Sequence, residues 1–147
     1  MNFDRPHRRL NLLTGQWVLV SPQRAKRPWL GQVEKVNEAR LVEYDPTCYL
    51  CPGNKRSTGA MNPTYPETFT FENDFAALLP ADEEYHAEQA LVGLLTAEPE
   101  AGLCRVVCFS PRHDLTLHEL PLAGVAAVVR TWKEQTLELG KRPEICY

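Results

Sequence analysis

No stretch of this 147-residue sequence approaches the roughly 20 consecutive apolar residues that a bilayer-spanning helix needs. The opening segment, Met1-Asn2-Phe3-Asp4-Arg5-Pro6-His7, holds no apolar signal region, so the expectation is a cytoplasmic protein with no membrane partner. G-x-x-x-x-G-K-[ST], G-x-G-x-x-G and G-x-S-x-G are all missing, which removes the usual phosphate-loop, dinucleotide and serine-hydrolase readings. Cysteine is scarce and odd in number, five in all. Without a secretion signal, such a count does not suggest a disulfide framework. There is no internal repeat and no low-complexity tract.

What is present suits one ordinary globular domain. Hydrophobic residues make up 44% and charged residues 24%, enough apolar material for a packed core. The net charge of −3 hides an asymmetry: residues 1–40 carry +5 and the remainder −8. A basic N-terminal segment suits a phosphate-bearing small ligand, because guanidinium forks match phosphate oxygens. The acidic remainder argues against a long nucleic-acid track.

Gln16-Trp17-Val18-Leu19-Val20 reads as a strand, preceded by the turn signal Thr14-Gly15 and closed by Ser21-Pro22. Residues 23–29 follow as a basic loop, with Pro28 pushing Arg27 towards an extended conformation. Residues 30–44 show no confident element, and residues 80–89 are acidic and solvated in character. Thr68-Phe69-Thr70-Phe71-Glu72 alternates at period two, and residues 103–109 form another strand, on which Cys104 and Cys108 share a face. An amphipathic helix is predicted over about 121–139, with Leu122, Val125, Val129, Trp132 and Leu139 facing the sheet and Gly140 as a stop. Strands first and one late helix give an α+β class.

Cys48-x-x-Cys51 is the sharpest chemical signal. Pro46, Pro52 and Gly53 put both cysteines on a tight turn, where two thiolates can clasp one zinc. A redox pair normally opens a helix, and the polar, Gly/Pro-bearing stretch that follows does not read as one. A zinc site needs further ligands, and His7, His86, His113 and His118 are all candidates on spacing alone. Arg24-Ala25-Lys26-Arg27 can present a cationic fork to a diphosphate. Asn73-Asp74, at a strand end, offers an amide and a carboxylate of the kind that meet ribose hydroxyls or a base edge.

Taken in order, several segments resemble one family. They include His7 to Pro22, Arg24-Ala25-Lys26-Arg27-Pro28-Trp29, Tyr44 to Asn54, Asn62-Pro63, Phe71 to Leu78, Arg105 to Asp114 and Thr131 to Gly140. The set resembles the galactose-1-phosphate uridylyltransferases of the histidine-triad superfamily. The resemblance implies a histidine-triad-like antiparallel sheet with a packed C-terminal helix. It further implies exchange of the hexose-1-phosphates of UDP-glucose and UDP-galactose through a uridylyl-histidine intermediate. It assigns Cys48, Cys51 and His113 as zinc ligands. Arg24, Ala25, Lys26 and Arg27 match the segment that reaches the neighbouring subunit's substrate in a homodimer, and Asn73 and Asp74 match a nucleotide-contacting pair.

The family's catalytic His-Pro-His motif follows the helix, and this sequence contains no such triplet. The expectation is therefore an incomplete N-terminal domain over 1–140, a divergent tail over 141–147, no catalytic residue, and no activity by this chain alone. Two other readings are a related nucleotidylyltransferase or phosphorylase with another base or acceptor, and a non-enzymatic zinc-binding module.

Overall fold

In the computed structural model, residues 2–28, 42–82, 90–143 and 145 are described. The strands are β1 (His7–Asn11), β2 (Gln16–Val20), β3 (Phe69–Glu72), β4 (Ala90–Val92), β5 (Leu95–Pro99) and β6 (Arg105–Cys108), and the helix α1 spans Leu122–Leu139. Antiparallel strands and one late helix agree with the α+β class. Most of the expected 30–44 loop lies outside the described residues, as do Trp29, His86, Cys146 and much of 80–89. The chain divides into two compact units, Met1–Gly31 with Phe75–Arg105 and Gln32–Asp74 with Val106–Tyr147.

The first unit holds a four-stranded antiparallel sheet in the order β2-β1-β5-β4. β1 and β2 pair from His7↔Val20 to Asn11↔Gln16. The turn between them closes on Asn11, whose carbonyl accepts from Gly15 N–H at 2.8 Å. Gly15 sits at φ +70°, a conformation that a Cβ would strain. Sequence periodicity does not reveal β1, because two of its five residues are arginines. The charge of Arg8 is met across the sheet. Arg8 lies opposite Glu98 and donates to its Oε2 from Nε and Nη2 at 2.9 and 2.6 Å. The guanidinium also covers the Trp17 ring at 4.9 Å. His7 is fully buried with both ring nitrogens used: Nδ1 donates to the Arg5 carbonyl at 2.8 Å and Nε2 accepts from Arg9 Nε at 2.9 Å.

The second unit pairs β3 with β6 and contains α1. β6 is shorter than the expected 103–109 strand; Cys108 is buried on it, while Cys104 precedes it and is half-buried. Buried Cys51, Tyr65, Cys108, Ala127, Val128, Asn62 and Thr131 mark the core of this unit. The predicted inward stripe of α1 needs correction. Ala127, Val128 and Thr131 are buried, whereas Leu122, Val129 and Trp132 are exposed and Val125 and Leu139 are half-buried. Small side chains, not large ones, face inward. Thr131 Oγ1 donates to the Ala127 carbonyl at 3.1 Å and pairs with Thr68 Oγ1 at 2.8 Å, which satisfies a hydroxyl that burial would otherwise strand. Pro121 stands at the N-cap, just before the first helical residue, and Gly140 ends the helix in a right-handed conformation.

Candidate functional site

The cysteine turn is built from short polar bonds. Asp45 Oδ1 accepts from Thr47 N–H and Oγ1, both at 2.7 Å, and starts the turn. Cys48 N–H returns to the Asp45 carbonyl at 3.2 Å. Leu50 N–H then points at Cys48 Sγ, 3.4 Å away. Gly53, at φ +75°, reverses the chain, and its N–H reaches the Pro63 carbonyl at 3.2 Å.

His113 arrives from the segment after β6. Its N–H donates to the Glu43 carbonyl at 2.9 Å. On either side of it, Arg112 and Asp114 form a two-pronged pair at 2.7 and 2.6 Å. Nδ1 of His113 lies 3.6 Å from Cys51 Sγ, and Nε2 lies 4.0 Å from Asp45 Oδ2. The ligand atoms of Cys48, Cys51 and His113 all fall within 4.8 Å of one another, close enough to bind one metal ion.

The donor set can be tested for fit. Zinc–sulfur bonds of about 2.3 Å and zinc–nitrogen bonds of about 2.0–2.1 Å, set at tetrahedral angles, separate S from N by roughly 3.6 Å and S from S by roughly 3.8 Å. The Cys51–His113 separation of 3.6 Å already meets that geometry. Two sulfurs and one imidazole nitrogen are ligands that zinc favours, and the distances are compatible with it. Burial pushes the Cys51 thiol up from its ordinary value, so in this pocket a thiolate calls for a compensating cation. The carboxyl of Asp45 is held below its ordinary value by the Thr47 side-chain and backbone bonds. A cleft of ≈ 230 Å³ opens here, its lining including Cys48, Cys51, Tyr65, Cys108, Arg112 and His113. Burial pushes the pKa of the Tyr65 hydroxyl and of the Cys108 thiol above their ordinary values, which keeps both neutral at ordinary pH.

Of the four histidines, the structure brings His113 to the cysteines. His7 is committed to Arg5 and Arg9 in the other unit, and His118 Nδ1 bonds Thr116 Oγ1 at 2.9 Å. His86 lies outside the described residues.

The basic segment forms a short 3-10 turn over Pro22–Lys26, where a loop is predicted, while Arg27 is extended as Pro28 requires. The turn is pinned by Ser21 Oγ, which donates to the Ala77 carbonyl at 2.7 Å, and by Gln23 Nε2, which donates to the Ala76 carbonyl at 3.1 Å. Arg24, Ala25, Lys26 and Arg27 are exposed, and none of the three cations has a side-chain partner among the described residues.

Asn73 and Asp74 belong to the second unit and are half-buried after β3. Asp74 Oδ1 meets Arg56 Nη1 at 3.4 Å, and the Arg56 guanidinium stacks over Phe71 at 4.2 Å. Sequence reading passed over Arg56, because no spacing links it to Phe71 or Asp74. Asn54, Asn62 and Tyr65, which bind the carbonyls of the cysteine turn, were likewise given no role; only the Asn62-Pro63 dipeptide and Asn54 were visible, as parts of the family resemblance.

Comparison with known proteins agrees with the ordered motifs. Residues 1–147 match the family described as galactose-1-phosphate uridyl transferase, N-terminal domain. A galactose-1-phosphate uridylyltransferase of Haemophilus influenzae is 50% identical over 139 residues, covering 95% of this chain and 39% of that protein. The enzyme of the same name from Saccharomyces cerevisiae is 44% identical over 141 residues, covering 92% of this chain and 38% of the relative. A solved structure titled as that of a uridylyltransferase aligns with a TM-score of 0.53 at 24% identity, covering 90% of this chain and 37% of the other, a likeness of fold. The chain thus spans well under half the length of the curated relatives it matches. With half its residues shared with a bacterial relative and the family match running over 1–147, this chain belongs to the galactose-1-phosphate uridyl transferase family as its N-terminal domain.

Proposed function

We propose that this chain serves the exchange of hexose-1-phosphates on UDP-sugars, as the part of a uridylyltransferase that holds a structural zinc and contacts the nucleotide. The observation that carries this reading is the convergence of Cys48 and Cys51 with His113, which lies 62 residues beyond Cys51. Cys48, Cys51 and His113 would hold Zn2+, which would fasten the cysteine turn to the segment following β6. Asn73 and Asp74 would meet the nucleoside. Arg24, Ala25, Lys26 and Arg27 would line the diphosphate, reaching a neighbouring subunit's substrate in a homodimer. An exposed turn whose cations have no side-chain partner among the described residues is available for that task.

The uridylyl group would be carried by a histidine outside this sequence, since none of the four histidines sits in a His-Pro-His triplet. The sheet would form part of a histidine-triad-like fold. Residues 1–140 would make up the domain and 141–147 a divergent tail, and the protein would act in the cytoplasm.

Metal analysis and titration with UDP-glucose test the reading together. Purified chain should carry up to one zinc, lost in Cys48→Ala, and should show no uridylyl transfer by itself. Zinc content unchanged by Cys48→Ala would remove the metal site, and preference for ADP-glucose over UDP-glucose would redirect the substrate assignment.

A further inference from the structure

The metal turn has an unusual amount of support behind it. Every backbone carbonyl from Cys48 to Cys51 is bound by a group later in the chain. Asn54 Nδ2 donates to the Cys48 carbonyl at 2.9 Å and also to that of Asp45 at 2.8 Å. Asn62 Nδ2 donates to the Tyr49 carbonyl at 2.9 Å and to the Cys51 carbonyl at 3.1 Å. Tyr65 Oη donates to the Leu50 carbonyl at 2.7 Å. Asn54 N–H adds a second bond to the Cys51 carbonyl at 3.2 Å.

The backbone brings these donors under the turn. From Gly53 to Pro63 the chain doubles back, with a bridge between Lys55 and Met61 and a bond of 2.9 Å from Asn62 N–H to the Asn54 carbonyl. That return places the Asn62 side chain, only 4% exposed, beneath the two cysteines. Its orientation is unambiguous, because both partners are carbonyls and only the amide nitrogen can donate to them. Its Oδ1 is buried with no hydrogen-bond partner among the described residues. A stranded buried acceptor costs stability. A leucine of similar shape would remove that cost but would also take away the donor that the Tyr49 and Cys51 carbonyls share. The bonds to Tyr49 and Cys51 are what it uniquely supplies. With the carbonyls held this way, the Leu50 N–H faces Cys48 Sγ at 3.4 Å.

We infer that Asn62 and Tyr65 are positioning residues for the metal clasp, fixing the carbonyls of the Cys48–Cys51 turn so that both sulfurs are aimed before an ion arrives. This rests on the zinc reading above and names the residues that set its affinity. Neither side chain touches the ion; each acts through the backbone of the ligands, as outer-shell partners of metal sites do.

Cobalt titration of the full chain tests it, using the near-ultraviolet thiolate-to-cobalt band as the readout. Asn62→Leu should weaken Co2+ binding by about 10–100-fold, with an unchanged band at saturation because the ligands are unchanged. Tyr65→Phe, which deletes one hydroxyl, should weaken it by roughly tenfold. Val128→Ala, a core truncation in α1 remote from the turn in sequence, serves as the control for lost stability and should leave cobalt affinity as in the parent chain. In metal-free protein, the Leu50 amide should exchange faster in Asn62→Leu than in the parent. Parental cobalt affinity in either Asn62→Leu or Tyr65→Phe overturns the inference, as does an equal loss in Val128→Ala. If Asn62→Leu does not fold, Tyr65→Phe decides. A parent chain with no thiolate band would overturn the zinc reading instead, an outcome seen before any variant is made.

Discussion

Zinc should act as a measurable cross-link. The three ligand atoms lie within 4.8 Å of one another, and a tetrahedral site asks for separations of about 3.6–3.8 Å. Closing that gap takes shifts of about 1 Å, so little binding energy is diverted into rearrangement. A ligand that binds only the folded state stabilises it by RT ln(1 + [L]/Kd), about 2.7 kcal/mol when free zinc is 100 times Kd. For a chain of this size each kcal/mol moves the melting temperature by roughly 2–4 °C, so zinc should raise it by roughly 5–11 °C over chelated protein. Circular dichroism melts in buffered zinc and in EDTA would measure this. Cys48→Ala and His113→Ala should each abolish most of the difference, whereas Cys104→Ala, on a half-buried thiol outside the cluster, should retain it. Coincident melts with and without zinc for the parent chain would refute the reasoning.

Other outcomes are expected. Thr131→Val keeps the branched shape but removes the hydroxyl shared with Thr68 and Ala127, and should cost about 1–2 kcal/mol in a urea titration. Glu119 accepts from Thr116 Oγ1 at 2.6 Å and from Thr116 N–H at 2.8 Å, and these bonds, the side-chain one foremost, hold its carboxyl below the ordinary 4.5. A lowered folded value means the capping box contributes fully above the unfolded pKa and is lost as pH falls through the folded one. An NMR titration should therefore show Glu119 midpoints below 4.5, returning towards 4.5 in Thr116→Val. Arg27→Ala should lower UDP-glucose affinity by roughly 1.5–3 kcal/mol in calorimetry, while the exposed side chain's loss leaves the melting temperature alone.

The elements legible in the sequence were those with strong patterning. β2 and β3 fall where aromatic and β-branched residues cluster, and α1 begins and ends within a residue of its predicted limits. β1 was hidden by Arg8 and Arg9; the charge of Arg8 is answered by Glu98 only once β5 is alongside, and Arg9 donates to buried His7 on its own strand. β4 is too short, and β5, which ends in Glu98 and Pro99, too mixed in character, to carry a period. On α1 the large apolar residues drew attention to one face, yet Ala127, Val128 and Thr131 turn inward, because small side chains and a paired hydroxyl fit there. At the candidate metal site, Cys48 and Cys51 were visible through their chemistry, and His113 was singled out from the four histidines by the family resemblance. Asn54, Asn62 and Tyr65 were not, since they bind backbone carbonyls and that leaves no spacing signature. Arg56, stacked on Phe71 beside Asp74, escaped for the same reason.

The outward face of α1 has an optical consequence. Trp132 is 52% exposed there, near Val129 at 54%. An indole half in water emits at long wavelength and is open to collisional quenchers such as iodide. Anything that settles on this side of the helix would shift Trp132's emission to the blue and shield it, a fluorescent gauge of contact along α1 once Trp17 and Trp29 are replaced by phenylalanine.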